Sequence, residues 1–194
     1  MKKQRKFAIP TSLLAVIVVV GVFGVAAGPS SSAGSARAAS STVRVFHLFG
    51  TANAHTCRIP KTEAGTTKTP FCYTAPLFEF KDGAHVQVGT ATDALADITQ
   101  NGSAIAVAGA TTFFNLSEGS FVSREQTTVQ PTTINSPSVT HITGFIPDPG
   151  TKNILSGTGE FSDVSGTVRL SGAVNMTNFP NQISFDCIFV ATLA

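Results

Sequence analysis

The chain has 194 residues, 12% charged and 42% hydrophobic, a length that suits one domain once any targeting segment is set aside. This composition excludes a collagen, a coiled coil and a charge-rich disordered chain. The formal charge of +2 misleads, because Lys2, Lys3, Arg5, Lys6 and Arg37 all precede residue 39 with no acid among them, so 8 bases face 11 acids in the remainder. Such a body lacks the dense basic face that nucleic acid requires.

In chain order, Met1 to Lys6 is a basic start, and Phe7 to Gly28 follows without a charge around the run Leu13-Leu14-Ala15-Val16-Ile17-Val18-Val19-Val20. A stretch of small residues then leads to Ala36-Arg37-Ala38, an A-x-A site. Residues 1–38 are therefore expected to be a signal peptide with a linker, cleaved before Ala39, and the domain is expected to be secreted. The rival is an uncleaved anchor, since about 20 apolar residues span a bilayer. In that case alone the protein would be held at a membrane.

From residue 39 to 194 one β domain is expected. Short Val, Ile, Phe and Thr runs alternate with Gly, Pro, Asn and Asp. The strands read as Val43–Phe49, Leu77–Lys81, His85–Thr92, Ala94–Thr99, Ala104–Leu116 with a kink at Gly109, Ser120–Val129, Val139–Ile146, Asn153–Gly157, Gly166–Met176 and Ile183–Leu193. Asp82-Gly83 is a hairpin signal, and Asn101-Gly102 is another. Consecutive strands with short links close into a barrel, which leaves no open edge; a sandwich is the alternative. Both faces look apolar, with Phe185 and Phe189 alternating with Ile188 and Val190, so the outer face is expected to be covered by a subunit or a flap.

Cys57 and Cys72 flank a polar, turn-rich stretch and are expected to pair, while Cys187 lies in an apolar strand as a buried thiol. A metal set of His55, Cys57 and Cys72 lacks the paired spacing of zinc sites. The absence of Trp and the single Tyr argue against a sugar-stacking lectin.

Three segments stand together: Gly89-Thr90-Ala91-Thr92 with Thr111-Thr112-Phe113-Phe114-Asn115-Leu116 and Glu118-Gly119-Ser120-Phe121; Leu155-Ser156-Gly157-Thr158-Gly159-Glu160-Phe161 with Gly166-Thr167-Val168; and Phe185-Asp186-Cys187-Ile188-Phe189-Val190. Their order and spacing resemble the barrel shared by dirigent proteins and allene oxide cyclases, over most of residues 43–193. Phe46-His47 followed by Gly50-Thr51-Ala52-Asn53 is similar to the dirigent opening. The resemblance implies an all-β, eight-stranded antiparallel barrel, often a homotrimer. Its apolar cavity would hold a small hydrophobic molecule and steer a cyclisation or isomerisation, with no metal or organic cofactor. The family's catalytic residues do not carry over. Leu48 stands where dirigent proteins have an acid after the histidine, Ser165 stands where they have an arginine, and Val43–Phe49 holds no acid to match the cyclase glutamate. A barrel that binds without chemistry is thus the second expectation.

The candidate catalytic residues are His47, His141 and Asp186. Each histidine is either a cavity acid–base or a hydrogen-bonded residue on the outer face. Asp186 on an apolar strand requires a partner or a role, and Arg169 on the preceding strand is the expected structural partner. Glu79, between two Phe residues, and Arg124 are candidate ligand-binding groups, each with a plain surface charge as the alternative; Arg124 and Glu125 fall on opposite faces. No nucleophile elbow and no phosphate-binding glycine loop is present.

Overall fold

A computed structural model describes residues 41–57, 59, 70–102, 104–131, 139–145 and 151–194. The expected signal peptide, with its choice between cleavage and anchoring, lies outside the described residues. These contain nine strands and no helix: β1 Thr42–His55, β2 Phe71–Lys81, β3 Ala84–Asn101, β4 Ala104–Leu116, β5 Gly119–Pro131, β6 Val139–Phe145, β7 Ile154–Gly159, β8 Gly166–Asn175 and β9 Gln182–Leu193. All pairings are antiparallel. The order β4-β3-β2-β1-β9-β8-β6-β5, closed by β4–β5, makes an eight-stranded barrel, and β7 lies outside it along the first half of β5. The expected barrel is the observed one, and the sandwich is not.

The period of two in the sequence decides which side chains fill the ring. Along β9, Ile183, Phe185, Cys187, Phe189, Ala191 and Leu193 are buried, while the residues between them face out. β1 follows the same rule with Phe46, Leu48 and Ala52. Where β1 begins, here the lower end, the ring is packed with aromatic rings: Phe114 stacks on Phe121 at 4.4 Å and meets Phe189 edge-on at 5.0 Å, with Phe46 at 5.8 Å. Each buried Phe contributes about 1.5–3 kcal/mol through removal from water.

The lower end is capped by Arg44. Its guanidinium bonds Glu79 on β2 at 2.7 Å and Glu118 in the β4–β5 turn at 2.6 Å, above the Phe46 ring at 4.8 Å. Phe161, in the turn after β7, is buried beneath the same cap, and Gly159 takes a φ of +59° to make that turn, a conformation glycine adopts without strain. Outside the ring, the Asn153 amide donates to the Val168 carbonyl at 2.9 Å and accepts from its N–H at 2.7 Å, which fastens the start of β7 to β8.

Three expectations change. β1 continues past Phe49 to His55, and β2 starts at Phe71 rather than Leu77. The break expected at Asp93 does not exist: His85–Thr92 and Ala94–Thr99 are one strand, β3. Asp93 turns into the ring, where the Thr112 hydroxyl donates to it at 2.7 Å, so a residue that reads as punctuation continues the sheet. On the outside, Val43, Val45, Phe49, Phe80 and Val190 are exposed in the single chain.

Asp82 and Gly83 have φ of 52° and 80°, the tight hairpin that Asp-Gly announces. Cys57 and Cys72 form a disulfide, which removes the His55, Cys57 and Cys72 metal set, and Cys187 is a buried free thiol. The bridge spans 15 residues, a closure worth about 3 kcal/mol in the chain-entropy model. Denaturant unfolding with and without reductant is expected to show a fall of that size; an unchanged midpoint would remove the bridge from the stability of the barrel.

Candidate functional site

The upper half of the ring is less full than the lower. A cavity there opens about 30 Å³ to water centres, enough for roughly two waters. Its wall is mostly apolar, with Leu95, Val129, Ile142, Leu170, Ile183 and Phe185 among its residues. Two carboxyl groups interrupt that wall: Asp93 from β3 and Glu125 from β5. The register places Asp93 opposite Thr112, Thr112 opposite Ser123, and Glu125 two residues further along β5 on the same inward face. The Glu125 carboxyl sits over Gly144 of β6, in space that any side chain at 144 would occupy.

Both groups are desolvated. Burial pushes the Asp93 carboxyl up to about 6, against the smaller opposing effect of the Thr112 hydrogen bond. Burial, with the charge of Asp93 added, pushes Glu125 well above the usual carboxylate range. Glu125 is 3% exposed, and its Oε2 has no hydrogen-bond partner among the described residues; neither do the buried Thr127 Oγ1 and Ser123 Oγ. Burial thus disfavours the ionised form of both carboxyls, and the charge of Asp93 disfavours it further at Glu125. Two acids driven apart in this way can give and take a proton within one cavity. Cys187, on an inward position of β9, is pushed up to about 12 by burial and stays a thiol.

A second cluster stands on the outer face. His47 and Asp186, both sequence candidates, are brought together: His47 Nε2 lies 2.9 Å from Asp186 Oδ1. Asp186 is exposed rather than buried, and its partner is His47 rather than Arg169, which lies opposite Val190. His47 Nδ1 meets His85 Nε2 at 3.0 Å, and the His85 ring stacks against Phe78 at 4.2 Å and Phe80 at 4.8 Å. The carboxylate accepts from His47 Nε2–H, so in the neutral pair His47 Nδ1 accepts from His85 Nε2–H. His141 is exposed on β6, opposite Ala173, which is itself opposite Asp186. Two strand spacings, about 10 Å, separate it from the Asp186 backbone. It shares the face without joining the cluster.

Of the two ligand-binding candidates, Glu79 is held by Arg44 and by Lys81 at 3.0 Å in the lower cap. Arg124 is half-buried on the outward side of β5, with Nε donating to Thr111 Oγ1 at 3.1 Å. Sequence reasoning favoured Arg124 of the Arg124-Glu125 pair, whereas Glu125 is the residue that faces the cavity. Asp93 and His85 were not singled out at all. The signal for Asp93 was its place two residues from Ala91 and from Leu95, on the side of the strand that Leu95 shares in lining the cavity.

No family model, no curated protein and no solved structure matches this chain.

Proposed function

We propose that the barrel takes up a small, largely apolar molecule in its upper cavity, and that Asp93 and Glu125 meet the polar end of that molecule. The observation that carries this reading is a buried carboxyl oxygen, Glu125 Oε2, with no partner among the described residues, facing an apolar hollow beside a second carboxyl. A desolvated acceptor costs free energy in the empty protein, and a bound donor offsets that cost. The same pair supports an isomerisation or cyclisation without a cofactor, because such a reaction removes one proton from the substrate and returns another: Asp93 takes, Glu125 gives. The reading keeps the resemblance to dirigent proteins and allene oxide cyclases, with different residues in the acid–base roles. The disulfide is compatible with an oxidising compartment, and secretion is part of the proposal. The implied homotrimer would use the exposed strip of Val43, Val45, Phe49 and Val190. A barrel that binds without chemistry is the second reading, favoured by the small volume of the cavity.

Native mass spectrometry of the full chain, isolated from its source under mild and then denaturing conditions, tests the proposal. A small-molecule mass that departs on denaturation, and that Ile142→Phe abolishes by filling the cavity, is expected. An empty chain together with an Ile142→Phe variant of unchanged or higher stability would make the upper cavity a packing defect and overturn the reading.

A further inference from the structure

We infer that the polar end of the molecule bound in the upper cavity is a protonated nitrogen, so that the ligand class is a small apolar amine. This rests on the cavity being a binding site, and it adds the charge of what is bound.

The wall holds two carboxyls and the hydroxyls of Thr112 and Thr127, and no basic side chain is among its residues. Arg44, whose side chain lies at the lower end, is already bonded to Glu79 and Glu118. Among the described residues, Asp93 and Glu125 therefore face no cation in the cavity. One oxygen of Glu125 and the hydroxyl oxygen of Thr127, which is 2% exposed, have no partner among the described residues.

Three kinds of ligand can be compared on these contacts. An anion would add a second negative charge beside the desolvated Asp93 carboxylate and is repelled. A neutral alcohol supplies one donor and leaves the charge of Asp93 uncompensated. An ammonium supplies up to three donors together with the missing charge, and charge-assisted hydrogen bonds are about twice as strong as neutral ones. An inorganic divalent cation fits less well, because it demands about six oxygen ligands or retained waters, and Leu95, Val129, Ile142 and Phe185 supply none. An alkylammonium buries its carbons against those same residues.

The proton balance is closed. A neutral amine takes the proton of Glu125: the N–H bond forms as the O–H bond breaks, and an ammonium–carboxylate pair results. An amine that arrives charged pairs with the Asp93 carboxylate, and the Glu125 proton stays in place. The space present holds about two non-hydrogen atoms, so half-buried Met176 and Leu95 at the cavity must adapt to admit the body of the amine.

The test is a titration of the full chain at pH 7 with butylamine, 1-butanol and butyrate, followed through the methyl resonances of Val129, Ile142 and Leu170. Those methyls report the interior and are blind to ion pairing on the surface. Butylamine is expected to shift them at a concentration at least about ten-fold lower than butanol, with no shift from butyrate. Asp93→Asn, an isosteric change that removes the charge, is expected to bring amine and alcohol within about two-fold of each other. Butanol acting as well as butylamine, or butyrate acting better than either, overturns the charge assignment and leaves the cavity as a binding site. No interior shift from any of the three overturns the binding reading itself.

Discussion

Asp93→Asn is expected to make the protein more stable at neutral pH by about 3 kcal/mol from Asp93 itself, with a further gain through Glu125. The cause is burial. The folded chain holds the Asp93 proton up to a pH of about 6, whereas an unfolded aspartate releases it near pH 4. Between those values the folded state binds more protons than the unfolded one. The contribution of Asp93 is therefore most favourable below about pH 4, falls as the pH rises toward 6, and stays at the lower level above it. Glu125, raised by burial and by the charge of Asp93, acts with the same sign, and loss of that charge lessens its effect. Asparagine keeps an oxygen to accept from Thr112 and carries no charge to desolvate. The gain should therefore be close to zero at pH 4 and complete by about pH 7. Denaturant midpoints at those two pH values decide the matter. A variant less stable than the parent at pH 7 would mean that Asp93 has a compensating partner.

Arg44→Met is expected to destabilise by about 4 kcal/mol at pH 7. Stranding two carboxylates at the lower end accounts for about 3 kcal/mol of this, below the usual cost of breaking a fully buried pair because the cap is partly wet. Lost contact with the rings of Phe46 and Phe161 adds about 1 kcal/mol. The pH dependence runs opposite to that of Asp93. Burial alone would raise Glu79, but hydrogen bonds from Arg44 and Lys81 overcome it and hold the carboxyl below the usual range. Burial and the Arg44 bond oppose each other in the same way at Glu118, with the same outcome. The stability these acids contribute is present above the unfolded value, near pH 4.3, and is lost as the pH falls through their lower folded values. Arg44→Met should thus cost most at neutral pH and little near pH 3. Thermal unfolding across that range reads the effect; a loss independent of pH would assign Arg44 a packing role alone.

The barrel was legible because its physics is local. Alternation along residues 183–193, the Asp-Gly turn at 82–83 and short links allow few architectures. The site was less legible, for the opposite reason. Asp93 earned no notice because an acid between Thr92 and Ala94 reads as a strand end, and only the partner strand shows that Thr112 receives it. Glu125 and Arg124 could be placed on opposite faces, yet nothing local says which face is inside. His47 and Asp186 lie 139 positions apart, so their meeting depends on the pairing of the first strand with the last. Both were correctly marked as unusual for apolar strands. The sequence did not show that the face they share is the outer one.

That pairing has a further consequence. β1 and β9 match residue for residue from Thr42–Leu193 to Asn53–Gln182 without a bulge. A chain made from its amino end therefore produces β1 long before the strand that covers one of its edges. Until β9 leaves the ribosome, β1 has a partner only in β2, and the incomplete sheet carries an open edge beside Val43, Val45 and Phe49. Closing so large a loop last makes for slow ring formation and a long exposure to other nascent chains. The finished cylinder has no adhesive edge along this seam; its precursor does, and the hazard for this protein lies in the interval between the two.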